Sequence, residues 1–167
     1  MYNLEKLLTK ALDICDKENI PYRNITEIKV NNRLSKSWGR CLTKNHKDFW
    51  IEIKGKICDE KVTPNENGLL EIILHEVIHT CEGCWNHGKL FKEYGGRLEK
   101  YGYNVGKSTT SAAALQLDNT AYKETFKYAI QCTGCGNIIY KDKMMDFVRF
   151  PHFYSCKKCG KNFTRIR

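Results

Sequence analysis

Three residues in one short segment have the types and spacing needed to bind a metal ion and activate water. His75, Glu76 and His79 form a His-Glu-x-x-His pattern, and His87 follows eight residues later. On a helix, residues i and i+4 share one face, so both imidazoles can reach a single ion. Three neutral imidazoles suit Zn²⁺ and leave the fourth tetrahedral position open for water, whose proton Glu76 can take. The pattern predicts a catalytic zinc site with Glu76 as general acid/base.

The surroundings of this pattern favour metal binding over a chance match. Asn67 is a candidate N-cap for the helix that would carry it, and Gly83 is a candidate for the position that ends it. Two imidazoles among aliphatic residues are costly without a shared partner, and a metal ion is the simplest one. The aliphatic residues of this helix are Leu69, Leu70, Ile72, Ile73, Val77 and Ile78.

The third ligand of this site has more than one candidate. A metzincin would need glycine at position 82 and histidine at 85, where Glu82 and Trp85 stand, so that class is excluded. A thermolysin-like site would use a glutamate about twenty residues downstream, which Glu99 could supply. We favour His87 because it is the nearby histidine and lies after a short turn.

Cys81 and Cys84 flank the same site as a Cys-x-x-Cys pair. They could pack as reduced thiols, brace the loop by a reversible disulfide, or supply a ligand, with Cys84 as a substitute third ligand. We favour packing, because a tetrahedral site already has its ligands. Cys15, Cys41 and Cys58 are predicted to be small core residues.

A second metal site is predicted near the end of the chain. Two further Cys-x-x-Cys pairs, each followed by glycine, are separated by twenty residues, which is the spacing of a four-cysteine zinc ribbon. Four thiolates complete the coordination of the ion, so this site should be structural, and so small a module has too little core to fold firmly without metal. Redox pairs are the less favoured interpretation. The four predicted ligands are Cys132, Cys135, Cys156 and Cys159.

The positive charge of the chain is concentrated around this second site. The formal net charge is +9, and residues 121–167 carry ten Lys or Arg against three acidic residues. A nucleic-acid surface that pairs phosphates and stacks bases is one hypothesis; a solvated basic face with the aromatic residues in the core is the other. The candidate contacts are Lys141, Lys143, Arg149, Lys157, Lys158, Lys161, Arg165 and Arg167, interleaved with Tyr140, Phe150, Phe153 and Tyr154.

The remaining patterns predict an α+β chain. Apolar residues at helical spacing from Leu4 to Cys15 indicate a first helix, and strands are predicted at 25–30, 37–43, 49–53, 138–140 and 152–154. We expect the strand 49–53 to be the sheet edge that holds a substrate backbone. Residues 104–111 read as a connector, because Gly106-Lys107-Ser108 lacks the earlier glycine of a phosphate-binding loop, and 112–130 could be helical.

Length, cysteine use and hydropathy restrict the class of protein. The 167 residues suit one moderate domain with a small appendage. Neither a signal peptide nor a membrane span is evident, and nine cysteines, six of them in Cys-x-x-Cys pairs, fit metal binding in a reducing compartment. We therefore expect a cytoplasmic protein.

These residues together resemble the SprT-like metalloproteases, which are related to the eukaryotic DNA-dependent protease Spartan. The resemblance rests on the strand before Asn31, the segment 37–41, the strand 49–53, the His-Glu-x-x-His helix, the pair His87-Gly88 and the terminal ribbon. It implies His75, His79 and His87 as zinc ligands and Glu76 as the catalytic acid/base. It also implies proteolysis of proteins associated with or crosslinked to DNA.

The sequence thus predicts a zincin-like minimal metalloprotease domain at 1–103, a partly helical connector at 104–130 and a zinc ribbon at 131–167. Two Zn²⁺ per chain, a protein substrate and DNA, single-stranded DNA included, are the expected cofactor and partners. No membrane and no obligate protein partner are expected. The competing hypothesis is a non-enzymatic, zinc-dependent nucleic-acid-binding protein; the presence of Glu76 argues against it, because a structural zinc site has no need of that carboxylate.

Overall fold

The computed structural model describes residues 1–105 and 117–167, which form two compact units, Met1–Asn119 and Thr120–Arg167. Residues 106–116, which include Gly106-Lys107-Ser108 and the start of the predicted helix 112–130, lie outside the described residues. The described residues are mixed α and β, with a three-stranded sheet in each unit. Within the described ranges, none of the helices has the length and apolar character needed to cross a membrane.

The sheet of the first unit has the order β1-β3-β2. Strand β1 spans Asn24–Asn31, β2 spans Gly39–Thr43 and β3 spans Asp48–Lys54. Strand β3 pairs in parallel with β1 and antiparallel with β2. The expectation that 49–53 forms the sheet edge is therefore wrong: β3 is central, and β1 and β2 are the edge strands.

Two helices cover the inner face of this sheet. Helix α1, Leu4–Lys17, begins at Asn3, whose side chain accepts a hydrogen bond from the backbone N–H of Lys6. Its apolar face packs on α2, Glu66–Ile78, which in turn contacts β2 and β3. Helix α2 is apolar on most of its surface, so it is buried between α1 and the sheet, as expected of a helix without a broad polar face.

The ends of α2 differ from the prediction by several residues. The N-cap is Asn65, two residues before the predicted cap Asn67, and its side chain accepts a hydrogen bond from the N–H of Asn67. The helix ends at Ile78 with His79 as its C-cap, before Gly83. Gly83 instead forms the turn of the following loop with a φ of +74°, a conformation that favours glycine.

The loop after α2 leads to α3, Lys89–Leu98, whose N-cap is Gly88. His87 therefore lies in this loop, directly before the N-cap of α3. A short 3-10 helix, Glu99–Tyr101, follows α3 and ends at Gly102, which has a φ of +82°.

The second unit is a three-stranded sheet in the order β5-β4-β6, all antiparallel. Strand β4 spans Tyr128–Cys132, β5 spans Ile138–Lys141 and β6 spans Phe163–Arg165. The helices in this region are α4, Asn119–Glu124, and α5, Asp146–Arg149. The core contains Ile130, Cys132, Val148, Cys156 and Phe163.

One prediction for this region holds in part and another is wrong. In the segment 112–130, for which the sequence allows a helix, residues 112–116 lie outside the described residues, Asn119–Glu124 is helical as α4, and Tyr128–Cys132 is instead the central strand, paired on both sides. The strand predicted for 152–154 is replaced by a 3-10 helix, Pro151–Phe153. Pro151 fixes its own φ and has no N–H to donate to a neighbouring strand, which favours the turn.

Candidate metal centre and active site

Three histidines converge beside α2. His75 and His79 lie one turn apart at the C-terminal end of the helix, and His87 reaches them from the loop before α3. The Nε2 atom of His75 is 3.2 Å from Nε2 of His79 and 2.9 Å from Nε2 of His87. Glu99 is exposed and is not part of this group in the described residues. The structure thus brings His87, and not Glu99, to the pair.

Backbone carbonyls decide which nitrogen atoms face one another. Nδ1 of His75 lies 3.2 Å from the carbonyl oxygen of Val105, and Nδ1 of His79 lies 2.7 Å from that of Cys84. A carbonyl only accepts, so each Nδ1 carries the proton and each Nε2 presents a lone pair. Two lone pairs at 3.2 Å repel unless a cation lies between them.

The histidines also have the protonation state that a metal ligand needs. Burial, together with the nearby His79, lowers the pKa of His75 to about 4, and burial lowers the pKa of His79. Both rings are therefore neutral at neutral pH. Tetrahedral Zn²⁺ with Zn–N bonds of about 2.0–2.1 Å would separate its nitrogen ligands by about 3.3 Å. The observed spacing is close to this, and the group could hold a metal ion.

Phe91 of α3 supports all three histidines. Its ring centroid lies 4.8 Å from that of His75, 4.7 Å from that of His79 and 4.8 Å from that of His87, and the side chain is fully buried. Phe91 lies on the buried face of α3, and its position in the sequence gives no sign of this contact. An apolar ring behind the imidazoles keeps water away from that side of the group and restricts ring rotation.

Glu76 lies beside the histidines and under the edge strand. Its side chain is 6% exposed. Burial raises its pKa to about 8, while a hydrogen bond from the backbone of Cys41 acts in the opposite direction. A Cβ atom on Gly39 would lie 2.8 Å from Cγ2 of Ile72 and 2.9 Å from Oε1 of Glu76. Glycine at 39 therefore lets β2 approach the carboxylate closely.

A cleft of about 560 Å³ opens over these residues. Its lining includes His75 and Glu76 of α2, the C-cap His79, the segment 36–41 with Thr43, and Trp85 and His87 of the following loop. A ligand in the cleft would therefore lie against both the histidines and strand β2.

Cys81 and Cys84 are buried free thiols and belong to neither potential metal group in the described residues. Burial raises the pKa of Cys81 to about 12, which keeps the thiol protonated at neutral pH. Cys84 contributes instead through its backbone, because its carbonyl orients His79. This role of the loop was not predictable from residue type.

The four cysteines of the second unit also converge. Sγ of Cys132 lies 3.3 Å from Sγ of Cys159, and Sγ of Cys135 lies 3.7 Å from Sγ of Cys156. Tetrahedral Zn²⁺ with Zn–S bonds of about 2.3 Å would separate its sulfur ligands by about 3.8 Å. Gly136 and Gly160, the glycines after each pair, have φ of +70° and +74°. The cluster could therefore bind a metal ion between two tight turns.

The basic residues predicted to contact nucleic acid differ in their exposure and in their partners. Lys157, Lys158 and Lys161 lie in or beside the second cysteine turn and are exposed. The guanidinium of Arg167 donates to the backbone carbonyl of Lys123 and lies over the ring of Tyr140. Lys141 is half-buried at the end of β5, and the other predicted contacts, Lys143, Arg149 and Arg165, are exposed.

The aromatic residues of this region do not share one environment. Phe153 is 77% exposed and Phe150 is 43% exposed, so neither belongs to the core. Their ring centroids are 6.2 Å apart, with His152 4.3 Å from Phe153. Tyr140 is half-buried against Phe126, and Tyr154 packs edge-on against Phe147. Phe150 and Phe153 thus remain available for contact with a ligand.

The described residues combine a mixed α and β fold with a group of three histidines that could hold a metal ion. Residues 4–111, more than half of the chain, match the model of the SprT-like family. The chain therefore belongs to the SprT-like family. Comparisons with curated proteins and with solved structures gave no significant match.

The choice between His87 and Glu99 can be tested by metal content. We expect His87→Ala to lose bound zinc from the histidine group, because two imidazoles remain where three converge. Glu99→Ala should bind as much zinc as the unsubstituted protein. The measurement is zinc per chain by mass spectrometry of metals after dialysis; equal loss in both variants, or loss only in Glu99→Ala, would contradict this assignment.

The four-cysteine group should be needed for folding of the second unit. Its buried core is small, and two of the core residues are the cysteines Cys132 and Cys156. We expect Cys132→Ser to reduce bound zinc by one ion per chain and to remove amide protection in β4 and β6, measured by hydrogen exchange. Exchange in α1 and α2 should not change. Unchanged protection in β4 would show that the metal is not a structural element.

Proposed function

We propose that this protein is a zinc-dependent endopeptidase in which Glu76 is the general acid/base. The observation that carries the proposal is the position of the Glu76 carboxylate, buried under β2 and adjacent to the three histidines. A purely structural metal site has no use for a carboxylate held in this way. Membership of the SprT-like family supports the same conclusion.

His75, His79 and His87 would hold the Zn²⁺, which when bound polarises a carbonyl group and increases the acidity of water. The carboxylate of Glu76 would accept the proton of the attacking water, and the resulting carboxylic acid would then give that proton to the amine that leaves. Gly39 and the backbone N–H of Cys41 fix the carboxylate at the base of the cleft. Phe91 and the carbonyls of Cys84 and Val105 would hold the imidazoles in place during the reaction.

Strand β2 is the element best placed to hold a substrate backbone. One side of the strand pairs with β3, and the other borders the cleft that contains Glu76. A peptide in extended conformation could add to this edge through backbone hydrogen bonds, which bind peptides with little dependence on side chains. This proposal replaces the expectation that the strand 49–53 has that role.

We also propose that the second unit binds nucleic acid, so that the substrates are proteins associated with or crosslinked to DNA. The three exposed lysines at the second cysteine turn would pair with phosphates, and Phe150 and Phe153 offer ring faces for bases. Single strands are favoured over duplexes, because stacking on these rings requires unpaired bases.

Replacing the carboxylate of Glu76 by an amide tests the catalytic proposal. We expect Glu76→Gln to lower cleavage of a protein substrate by about 10²–10⁴-fold, since an amide cannot accept a proton. Zinc content should be retained. Glu99→Gln, at an exposed glutamate outside the histidine group, is the matched control and should cleave normally. Cleavage is measured by gel analysis of fragments. Equal cleavage by the unsubstituted protein and Glu76→Gln would contradict the proposed role of Glu76, and absence of cleavage by the unsubstituted protein would favour a non-enzymatic binding protein.

Phe153 gives a separate test of nucleic-acid binding. Loss of one base-stacking contact costs about 1–3 kcal/mol, so Phe153→Ala should weaken binding to a labelled single-stranded oligonucleotide by about 5–150-fold. Tyr101→Ala, at an exposed aromatic residue of the first unit, should bind normally. The measurement is fluorescence anisotropy at fixed salt. Binding that is undetectable, or equal in both variants, would contradict the proposed interface.

A further inference from the structure

One end of the cleft is formed by two aromatic side chains from different elements. His46 lies in the turn between β2 and β3, and Trp85 lies in the loop between His79 and His87. Their rings are stacked, with centroids 4.2 Å apart and planes within 5° of parallel. Both residues line the cleft, and Trp85 is 55% exposed. The stack thus gives the cleft that contains Glu76 a partly exposed aromatic surface.

The backbone on both sides holds this stack in place. His46 has a φ of +57°, a left-handed conformation uncommon outside glycine, and its N–H donates to Oγ1 of Thr43 at 2.9 Å. Trp85 directly follows Cys84, whose carbonyl oxygen accepts from His79. The two rings therefore do not depend on each other alone for their position.

Arg23 contacts both the turn that carries His46 and the loop that carries Trp85. Its guanidinium donates to the backbone carbonyl of His46 and forms an ion pair with Glu82 at 3.1 Å. The backbone N–H of Arg23 also donates to Oγ1 of Thr80 at 3.0 Å. A single exposed ion pair contributes little, but here one residue links β1 to both segments that carry the stacked rings. The surface is therefore largely formed before a ligand arrives.

The charges nearby restrict which side chain this surface would accept. Lys36 and Arg40 line the same cleft, and Arg40 is paired with Glu52 at 2.7 Å. Among the described residues that line the cleft, Lys36 and Arg40 are cations and the one carboxylate is the buried Glu76, so the lining does not favour a basic side chain. The ring faces of Trp85 and His46 suit an aromatic or large aliphatic side chain, which gains from burial and stacking.

The direction of β2 relates this surface to the scissile bond. The strand runs from Gly39, which touches Glu76, towards Thr43 and the turn that carries His46. A peptide that adds antiparallel to β2 runs the opposite way, so residues before its scissile bond lie towards His46 and Trp85.

We propose that Trp85 and His46 form a specificity subsite that selects an aromatic or large aliphatic side chain on the amino-terminal side of the scissile bond. The proposal rests on the peptidase activity proposed above. Trp85 is the main contributor, because the loop between the histidines presents its indole at the cleft with more than half of its surface exposed.

Cleavage of a mixed-sequence peptide library, with sites mapped by mass spectrometry, tests the subsite. The unsubstituted protein should prefer aromatic and large aliphatic residues before the scissile bond. Trp85→Ala should reduce that preference by about tenfold or more relative to other residues, while Trp85→Phe should keep most of it. Tyr101→Ala, an exposed aromatic residue outside the cleft, should leave the profile unchanged. An identical cleavage profile in Trp85→Ala and the unsubstituted protein would overturn the proposal. A change in Trp85→Ala that affects only the preference for residues on the carboxyl-terminal side of the scissile bond would also overturn it.

A binding measurement separates failure of the subsite from failure of the peptidase proposal. Glu76→Gln is titrated with an aromatic peptide and with the same peptide bearing lysine in place of its aromatic residues, and tryptophan fluorescence is followed. The aromatic peptide should change the fluorescence more, and that difference should disappear in Glu76→Gln/Trp85→Phe but persist in Glu76→Gln/Trp50→Phe. A difference that persists without Trp85, or none at all, would overturn the subsite. Absence of Glu76-dependent cleavage together with a fluorescence difference that comes from Trp85 would overturn only the peptidase activity.

Discussion

The structure of the candidate active site depends on three imidazole nitrogens that face one another at about the spacing of metal ligands. Carbonyl oxygens hold Nδ1 of His75 and His79, so their Nε2 lone pairs point at each other 3.2 Å apart. Such a pair is repulsive in isolation, and burial prevents protonation from relieving the repulsion. A cation bound by both nitrogens would remove this repulsion. The neighbouring helices and loops hold the imidazoles in the positions that such a cation needs.

Those elements come from distant parts of the sequence. Helix α2 supplies two histidines and Glu76, the following loop supplies His87 and the carbonyl of Cys84, and Val105 supplies a second carbonyl. Phe91 of α3 contacts every imidazole. Strand β2 approaches Glu76 because Gly39 has no Cβ. The site is therefore assembled by contacts to the backbone and to an apolar ring as much as by the residues that would do chemistry.

The chemically distinctive residues were predictable because their spacing is set by geometry. The i and i+4 positions of His75 and His79 follow from the helix repeat, and the paired cysteines follow from the size of a turn around one ion. Contacts through Phe91, Val105 and Cys84 leave no comparable signal, because any residue has a carbonyl and an aromatic residue on a buried face usually means core packing.

Elements whose structure is decided by tertiary pairing were harder to predict. The residue patterns of β2 and β3 both predict a strand and do not show which strand is central. Strand β3 is central because it also pairs in parallel with β1, and local periodicity does not predict that pairing. Tyr128–Cys132 became a strand because it pairs with both β5 and β6, although the residues before it favour a helix. The short strand expected at 152–154 is prevented by Pro151.

The central claim is that His75, His79 and His87 bind a zinc ion in the full chain. The most direct measurement is X-ray absorption spectroscopy at the zinc edge on the full chain. The account predicts two scattering shells, one of sulfur at about 2.3 Å and one of imidazole nitrogen at about 2.0–2.1 Å, with the nitrogen shell reduced in His75→Ala. A spectrum with sulfur ligands alone, unchanged in His75→Ala, would contradict it.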